Sequence, residues 1–163
     1  MWSEIFKDLD AFELGESALD VGAGFGNTTR YLLARGLRVC AVDIDPGAVA
    51  YIKSLFKEFV KSGLLKVLLA PAESLPFADG ECDSVISVAA VHHFRDIEVA
   101  LREMVRVAKR LVAIYDWTPE AGGVTNPHSP QELEAKMRAA ADAAVKLGFD
   151  IKITRYWYRL VKF

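Results

Sequence analysis

Short apolar runs alternate along this chain with longer segments in which apolar residues recur every three or four positions. The runs have the length of buried strands, and the longer segments have the spacing of helices packed on one face. The predicted strands are Ser17–Val21, Leu37–Asp43, Leu64–Leu69, Asp83–Ala89 and Leu111–Tyr115. The helical spacing is clearest after Asp96, where one face carries Ile97, Ala100, Leu101, Met104 and Val105.

Glycine, proline and capping side chains indicate where the predicted helices begin and end. Gly36 ends a helix over Asn27–Arg35, because glycine accepts the left-handed backbone that follows a helix. Asp45 and Pro46 form an N-cap and a first helical position, and they begin a helix that we expect to run to Gly63.

The C-terminal part of the chain predicts one more helix and one or two strands. Ser129-Pro130-Gln131-Glu132 is a capping box with proline at the first helical position, and Gly148 ends the helix that it begins. The tail FDIKITRYWYRLVKF alternates like strands, and we expect its last strand to be amphipathic. Strands separated by helix-length segments favour right-handed crossovers, so the sequence predicts a three-layer α/β fold with a mostly parallel sheet.

Composition and charge exclude several classes of protein. The 163 residues fit one domain, and a hydrophobic fraction of 52% excludes a disordered chain. A net charge of −2 gives no electrostatic reason to expect a nucleic-acid binder. No apolar run approaches the roughly 18 residues that a membrane span needs, and the N-terminus lacks the residue order of a signal peptide. We therefore expect a cytoplasmic protein without a membrane span.

The cysteines and the side-chain amides carry two weaker signals. Cys40 and Cys82 do not form a spaced ligand pair, so the sequence predicts neither a disulfide framework nor a metal site. Asn27, Asn126 and Gln131 are the only side-chain amides in the chain. Such depletion is typical of thermophile proteins and predicts a thermophilic source, with chance in a biased genome as the alternative.

The most informative segment is the glycine-rich stretch that follows the first predicted strand. Gly22, Gly24 and Gly26 lie at a strand-to-helix junction, where ligands of open α/β sheets bind. Glycines there allow a sharp turn and close approach of a ligand, and the amides at the start of the helix face it. The alternative is a tight turn with only a structural role.

The spacing of this turn differs from two phosphate-binding motifs. The dinucleotide fingerprint has glycine at its sixth position, where this chain has Asn27. The phosphate loop of kinases and GTPases needs a lysine, and none occurs between Lys7 and Lys53. The carboxylate of Asp20 near the turn would repel a pyrophosphate but suits a ligand with ammonium and sulfonium groups.

These residues resemble a known family. Asp20-Val21-Gly22-Ala23-Gly24-Phe25-Gly26 resembles motif I of the class I S-adenosylmethionine-dependent methyltransferases, and Val42-Asp43-Ile44-Asp45 resembles their second motif. Ala72–Phe77 with Asp83–Ser87, and His92–Phe94 with Ala100–Val107, are similar to the segments that follow. The resemblance covers roughly residues 15–117 and is strongest to the ubiquinone/menaquinone-biosynthesis-like branch. It implies a Rossmann-like methyltransferase sheet, with an antiparallel strand near the C-terminus, and S-adenosyl-L-methionine as cofactor.

The resemblance also implies a set of cofactor-binding residues, in which Asp43 binds the ribose hydroxyls. The full set is Asp20, Gly22, Ala23, Gly24, Gly26, Asp43, Ile44, Ala72, Glu73 and Val88. The chain departs from the family pattern at Pro71, where an acidic residue is frequent, so the adenine contact there rests on backbone and on Ala72. It also lacks the Lys-Pro-Gly-Gly turn, since Lys109-Arg110 run straight into a strand.

Methyl transfer from a sulfonium depends mainly on positioning, and it needs a base only when the acceptor is poorly ionised. The candidates for such a catalytic role are His93, Asp116 and His128, with His92 beside the first. The alternative is that the histidines only form local hydrogen bonds at the end of a strand. Asn126-Pro127-His128 does not follow the fourth strand and is not the signature of amino-directed enzymes that act on DNA or protein.

We expect one domain over residues 1–163. Residues 1–16 form an N-terminal helix or lid, 17–117 the cofactor-binding core, 118–129 an acceptor-side loop and 130–163 the last helix and strands. With so little chain outside the core, either the acceptor binds in a shallow, open site or a second subunit of a homodimer closes it, and the amphipathic N-terminal segment with Trp2 is the candidate lid.

The acceptor stays open at this point. A small molecule is favoured, whereas an RNA or protein substrate remains an alternative because basic and aromatic residues alternate over Arg155–Arg159. The alternative functions are a non-catalytic S-adenosylmethionine-binding protein, such as a subunit that activates a partner, and a nucleotide-dependent oxidoreductase.

Overall fold

The computed structural model of the chain describes residues 1–123 and 127–163. Its helices are α1 (Trp2–Leu9), α2 (Asn27–Ala34), α3 (Pro46–Leu55), α4 (Lys57–Lys61), α5 (Ile97–Val107) and α6 (Pro130–Leu147), and short 3-10 turns cover Val91–His93 and Pro119–Ala121. Its strands are β1 (Ser17–Val21), β2 (Arg38–Asp43), β3 (Leu65–Leu69), β4 (Cys82–Val88), β5 (Ala108–Trp117), β6 (Asp150–Ile153) and β7 (Trp157–Lys162). Asn126 and part of the predicted acceptor-side loop lie outside the described residues.

The strands of the described residues form one sheet in the order β3-β2-β1-β4-β5-β7-β6. Strands β1 to β5 are parallel, whereas β7 runs antiparallel to both β5 and β6. One core cluster packs α1, α2 and α3 on one face, and a second packs α5 and α6 on the other. The predicted fold, a three-layer α/β sandwich with an antiparallel strand near the C-terminus, is confirmed.

The helix starts follow the capping signals of the sequence. The side chain of Asp45 accepts a hydrogen bond from the Gly47 amide at 2.9 Å, and the side chain of Ser129 accepts one from the Glu132 amide at 3.2 Å. Gly148 adopts a φ of +79° where α6 ends. These helix boundaries are local properties, because each cap satisfies backbone groups within one turn of itself.

The single helix predicted from Pro46 to Gly63 is wrong, because the backbone breaks at Phe56 between α3 and α4. Phe56 has φ −114° and ψ 33°, and its side chain is buried. A Cβ built on Gly26 would lie 3.0 Å from the Phe56 ring, so this ring packs directly beneath the glycine turn. The helix breaks where it turns this aromatic side chain into the core.

The expectation of an amphipathic last strand is also wrong. Trp157 and Tyr158 are consecutive residues of β7 and are only 6% and 1% exposed. They belong to the two different core clusters, because β7 lies between β5 and β6 with both faces covered. Their rings are therefore buried, which removes two aromatic side chains from the surface that an RNA-binding interpretation needs.

The N-terminal helix α1 is fixed to the sheet by Asp8. Its carboxylate accepts hydrogen bonds from Tyr115 Oη at 2.8 Å, Arg159 Nη1 at 2.7 Å and Lys152 Nζ at 2.9 Å. Burial favours a higher pKa for Asp8, but these hydrogen bonds outweigh it and lower the pKa. Ile5 on the same helix is completely buried.

Within residues 1–123 and 127–163, no helix is both long and apolar enough to cross a membrane.

Candidate functional site

The glycine turn after β1 is built on left-handed backbone. Gly22, Gly24 and Gly26 have φ values of +74°, +54° and +88°. The amides of Gly22 and Ala23 both donate to the Val42 carbonyl, at 2.9 and 3.0 Å. A Cβ on Gly22 would lie 2.5 Å from the Ala90 Cβ, so both the backbone angle and the packing require glycine at this position.

Asp43 ends β2 beside the turn and holds it in place. Its Oδ2 accepts a hydrogen bond from the Gly24 amide at 2.8 Å, and its Oδ1 accepts one from the Asp45 amide at 2.9 Å. A carboxylate has about four acceptor positions, so it can accept further hydrogen bonds from a ligand. The register of the sheet thus brings a negative charge to the glycine turn.

Asp20 is a second carboxylate near the turn, but it lies beneath it. It is 1% exposed, and its Oδ2 accepts a hydrogen bond from Thr29 Oγ1 at 2.7 Å. Burial raises the pKa of Asp20 to about 7. The nearby charge of Asp43 also raises this pKa, whereas the hydrogen bond from Thr29 lowers it without cancelling the effect of burial. A positive charge bound above this group would stabilise its ionised form.

A cavity of about 390 Å³ opens at the carboxyl ends of β1 to β4. Of the residues expected to bind a cofactor, those that line it are Gly22, Ala23, Gly24, Asp43, Ile44, Ala72, Glu73 and Val88. Within the described part of the chain, Asp20 and Gly26 are not among the lining residues. Gly26 instead faces the ring of Phe56. A cavity of this size at this edge of the sheet is typical of a small-molecule site.

Trp2, Phe94 and Arg95 also line the cavity; the sequence predicted Trp2 as part of the N-terminal lid but did not predict the other two as site residues. Phe94 and Arg95 directly follow the histidine pair, and this adjacency is the signal that could have found them. The signal for Trp2 is the amphipathic spacing of the N-terminal segment, and Trp2 reaches the cavity through the packing of α1 on the sheet.

Glu73 forms one wall of the cavity and orders the backbone behind it. Its Oε2 accepts hydrogen bonds from the amides of Arg95 and Asp96, at 2.8 and 3.0 Å. The loop after β3 is therefore tied to the N-terminus of α5.

The composition of the cavity wall decides which ligands fit it. The carboxylates of Asp43 and Glu73 line it and Asp20 lies below it, whereas Ala72 and Val88 add apolar surface. A ligand with hydroxyl groups, an apolar ring and a positive charge matches these walls, because carboxylates accept hydroxyl hydrogen bonds and attract cations. A pyrophosphate would meet the like charges of Asp43 and Glu73, with Arg95 as a cation on the same wall.

The three histidines meet beside this cavity, where the 3-10 turn after β4 approaches the start of α6. The ring centroids of His92 and His93 are 4.0 Å apart, and the ring of His128 lies 4.9 and 5.1 Å from them. Of this group, the described structure places His93 on the cavity wall. Burial, and then the neighbouring His92 and His128, lower the pKa of His93, so the neutral ring is favoured.

Asp116 and Glu132 hold two of these rings. Asp116 is buried, and its carboxylate accepts a hydrogen bond from the His92 amide at 2.7 Å and pairs with His92 Nδ1 at 2.8 Å. Glu132 Oε2 lies 2.9 Å from His128 Nδ1. In the described structure, neither Asp116 nor His128 lines the cavity. The structure therefore brings the predicted catalytic residues together, and of these it is His93 that lines the cavity.

The cysteines take no part in this site in the described structure. Both are free thiols, and neither lines the cavity. Burial raises the pKa of Cys82 to about 12 and also raises the pKa of Cys40. Both side chains are therefore protonated at neutral pH and unsuited to nucleophilic chemistry.

Comparison with known proteins gives a family match. A family model described as "Methyltransferase domain" matches residues 19–114, from β1 to β5, which includes the glycine turn, Asp43 and the His92-His93 pair. The 2-methyl-6-phytyl-1,4-hydroquinone methyltransferase of Synechocystis is 34% identical over 112 residues, which are 67% of this chain and 34% of that protein. The uncharacterized methyltransferase YcgJ of Bacillus subtilis is 30% identical over 138 residues, covering 72% of this chain and 53% of that protein.

Solved structures agree on the fold. The crystal structure of a SAM dependent methyltransferase from Aquifex aeolicus matches with a TM-score of 0.74 and 24% identity, over 95% of this chain and 86% of that one. At this identity the likeness describes the fold alone. The chain spans 34% and 53% of the lengths of the two curated relatives above.

Proposed function

This chain belongs to the methyltransferase domain family, and on that premise we propose that it is an S-adenosylmethionine-dependent methyltransferase that acts on a small-molecule acceptor. The observation that carries the proposal is the cavity wall itself, where the carboxylate of Asp43 meets a glycine turn without a lysine. S-adenosylmethionine, when bound, supplies an electrophilic methyl group on a sulfonium.

Each part of the cavity wall has a proposed role in holding this cofactor. Asp43 accepts hydrogen bonds from the ribose hydroxyls, and Gly22 and Gly24 let the ligand approach the backbone closely. Ile44, Ala72 and Val88 provide apolar contacts for the adenine, as does Ala23 at the turn. Glu73 keeps the opposite wall ordered. Asp20 acts from below through its charge, and Gly26 acts by leaving room for the Phe56 ring under the turn.

The acceptor is proposed to lie against His93. This ring lines the cavity and, being neutral, accepts a proton when the acceptor is a hydroxyl or an amine. His128 lies beside it and flanks the acceptor. Asp116 is a positioning residue, because it holds His92 and through it the turn that carries His93. The rest of the rate acceleration comes from alignment of donor and acceptor, which is worth up to about 7–11 kcal/mol.

Residues 1–16 are proposed to act as a cover over the cavity, with 17–117 as the cofactor core, 118–129 as the acceptor-side loop and 130–163 as the closing helix and strands of one domain. Trp2 supports this role because α1 places its indole on the cavity wall. A second subunit is then not required for closure, although a homodimer would extend the same cover.

The free thiols of Cys40 and Cys82 favour a reducing compartment such as the cytoplasm, and the scarcity of side-chain amides favours a thermophilic source.

Titration calorimetry with S-adenosylmethionine, S-adenosylhomocysteine and NAD tests the function. We expect the first two to bind and NAD not to bind. Asp43→Ala should weaken their binding about 10- to 100-fold, because hydrogen bonds to a charged group are worth about 1.5–3 kcal/mol. Asp45→Ala is the matched control, since it removes only the cap of α3 and lies outside the cavity wall of the described structure.

Binding of NAD alone, or an Asp43→Ala variant with unchanged affinity, would contradict the proposed function. Methyl transfer is then tested with a labelled cofactor. A hydroquinone is the first acceptor to try, because the Synechocystis relative is named for one. Tight cofactor binding without transfer to hydroquinone, phenol or amine acceptors would favour a partner-activating role instead.

The Trp2→Ala variant tests the cover. Loss of part of an indole contact should weaken binding of S-adenosylmethionine by about 1–2 kcal/mol, or about 5- to 30-fold. Phe12→Ala is the control, because Phe12 belongs to the same N-terminal segment but packs on Phe163 and Arg159. Equal losses in the two variants would show that the segment contributes only to stability.

A further inference from the structure

The chain contains three histidines, and all three converge on one point of the structure. Their ligand nitrogens all lie within 4.8 Å of one another. His92 and His93 come from the 3-10 turn after β4, whereas His128 comes from the loop before α6. We propose that His92, His93 and His128 bind one divalent transition-metal ion, of the class of Zn²⁺ and Co²⁺, beside the cavity.

The distances suit a site that closes on an ion. Zinc binds imidazole nitrogens at about 2.0–2.1 Å, which separates two tetrahedral ligands by about 3.3 Å. The nitrogens therefore have to draw together from within 4.8 Å. His93 and His128 are both accessible to solvent, so small movements of these two side chains can close the gap while the buried His92 stays in place.

Carboxylates orient two of the three rings. Asp116 Oδ1 lies 2.8 Å from His92 Nδ1, and Glu132 Oε2 lies 2.9 Å from His128 Nδ1. A carboxylate on one ring nitrogen is the usual outer partner of a metal-binding histidine, because it fixes the tautomer and makes Nε2 the better ligand. The two carboxylates also offset the charge of a divalent ion. Two separate elements of the fold supply this arrangement, β5 for Asp116 and α6 for Glu132.

The backbone before the histidine pair is held in an uncommon conformation. Ala89 has a φ of +58°, and its amide donates to the Tyr115 carbonyl at 2.8 Å. A non-glycine residue in the left-handed region costs about 1–2 kcal/mol, and such residues concentrate at functional sites. This bend, together with the hydrogen bond from the His92 amide to Asp116, directs both rings toward His128.

Three imidazoles select the kind of ion and its coordination. Neutral histidines suit zinc, cobalt, nickel and copper, whereas calcium and magnesium prefer oxygen ligands. Three protein ligands leave a fourth position on zinc for a water or for a heteroatom of the acceptor. Because His93 lines the cavity, the ion would lie beside it, and with the ion bound His93 would be a ligand instead of the proton acceptor proposed above.

The test uses untagged protein stripped with a chelator and then titrated with Co²⁺ and Zn²⁺, without cofactor. We expect one ion per chain, with the visible absorption of tetrahedral Co²⁺ and displacement of Co²⁺ by Zn²⁺. His128→Ala should weaken Zn²⁺ binding at least about 100-fold, and Glu132→Gln about 10- to 100-fold. Glu134→Gln, an exposed partner of Arg138 on the same helix, and Cys40→Ser are the controls that should bind as wild type.

His128 is partly exposed, so its replacement spares the core, and far-ultraviolet circular dichroism checks that each variant is folded. Absence of stoichiometric binding to the wild type, binding unchanged in His128→Ala, or binding lost in Cys40→Ser would each overturn the metal site. This proposal does not rest on the proposed function. A chain that binds S-adenosylmethionine but no ion keeps the function and loses only the metal site.

Discussion

The Gly22→Ala variant should lose about 2–5 kcal/mol of unfolding free energy and most of its affinity for S-adenosylmethionine. An L-residue at φ +74° costs about 1–2 kcal/mol. The new methyl group would also lie 2.5 Å from the Ala90 Cβ, and overpacking of this kind costs typically about 1–3 kcal/mol. Relief of that contact moves the turn away from Asp43 and narrows the cavity.

Gly36→Ala is a matched control, because Gly36 has a φ of +82° and a Cβ there would meet nothing within 4 Å. Its unfolding free energy should fall only by the cost of placing an L-residue in left-handed backbone, about 1–2 kcal/mol, and it should bind the cofactor as wild type does. Urea unfolding and titration calorimetry on both variants give the comparison. Equal losses of stability in the two variants would mean that Ala90 yields to the added methyl group, and that the close approach of Gly22 does not matter.

The Asp20→Asn variant should abolish a pH dependence of stability that, between about pH 5 and about pH 8, is on the order of 3 kcal/mol in the wild type. Burial raises the pKa of Asp20 to about 7 in the folded chain, whereas its ordinary value is 3.8. Between these values the native state binds a proton that the unfolded chain has released. The contribution of Asp20 to stability is therefore complete at low pH, falls as the pH rises through this window, and is constant above about pH 7.

Urea unfolding at about pH 5 and about pH 8 measures this effect as the difference in the free energy of unfolding between the two pH values. Asp142→Asn removes an exposed carboxylate and should leave the difference as in the wild type. An Asp20→Asn variant with the same pH dependence as wild type would mean that burial does not raise the pKa of Asp20 in the folded chain. The comparison uses the pH difference because the asparagine amide itself changes the hydrogen bond with Thr29.

The same carboxyl group couples stability to ligand binding. A bound sulfonium and ammonium favour the ionised form of Asp20, so the affinity of the wild type for S-adenosylmethionine should rise between about pH 5 and about pH 8. The Asp20→Asn variant should lack this rise. Burial thus disfavours the ionised form of Asp20 in the free chain, and a bound cation restores it.

Much of the site follows from signals that are local in the chain. The glycine turn between β1 and α2, and the position of Asp43 at the end of β2, could be predicted because each depends on a few consecutive residues and on strand order. The start of α5 and both ends of α6 could be predicted for the same reason, since the caps at Asp96, Ser129 and Gly148 act within one helical turn.

Other features could not be predicted, because they depend on contacts between residues distant in sequence. The helix break at Phe56 follows from the space under Gly26, and burial of both Trp157 and Tyr158 follows from the insertion of β7 between β5 and β6. The position of Trp2 on the cavity wall depends on how α1 packs. Nothing in the local pattern around His128 indicates that it meets His92 and His93.

The amino-acid sequence by itself determined the alternation of strands and helices, the turn that receives a ligand and the carboxylate beside it. These are properties of backbone angles and hydrogen bonds within single elements, so they do not depend on how the elements pack together. Only the tertiary structure decided that Asp20 is buried beneath the turn and that Asp116 and Glu132 hold a cluster of three histidines. Burial and the meeting of distant side chains are set by the packing of whole helices on the sheet, which no local pattern records.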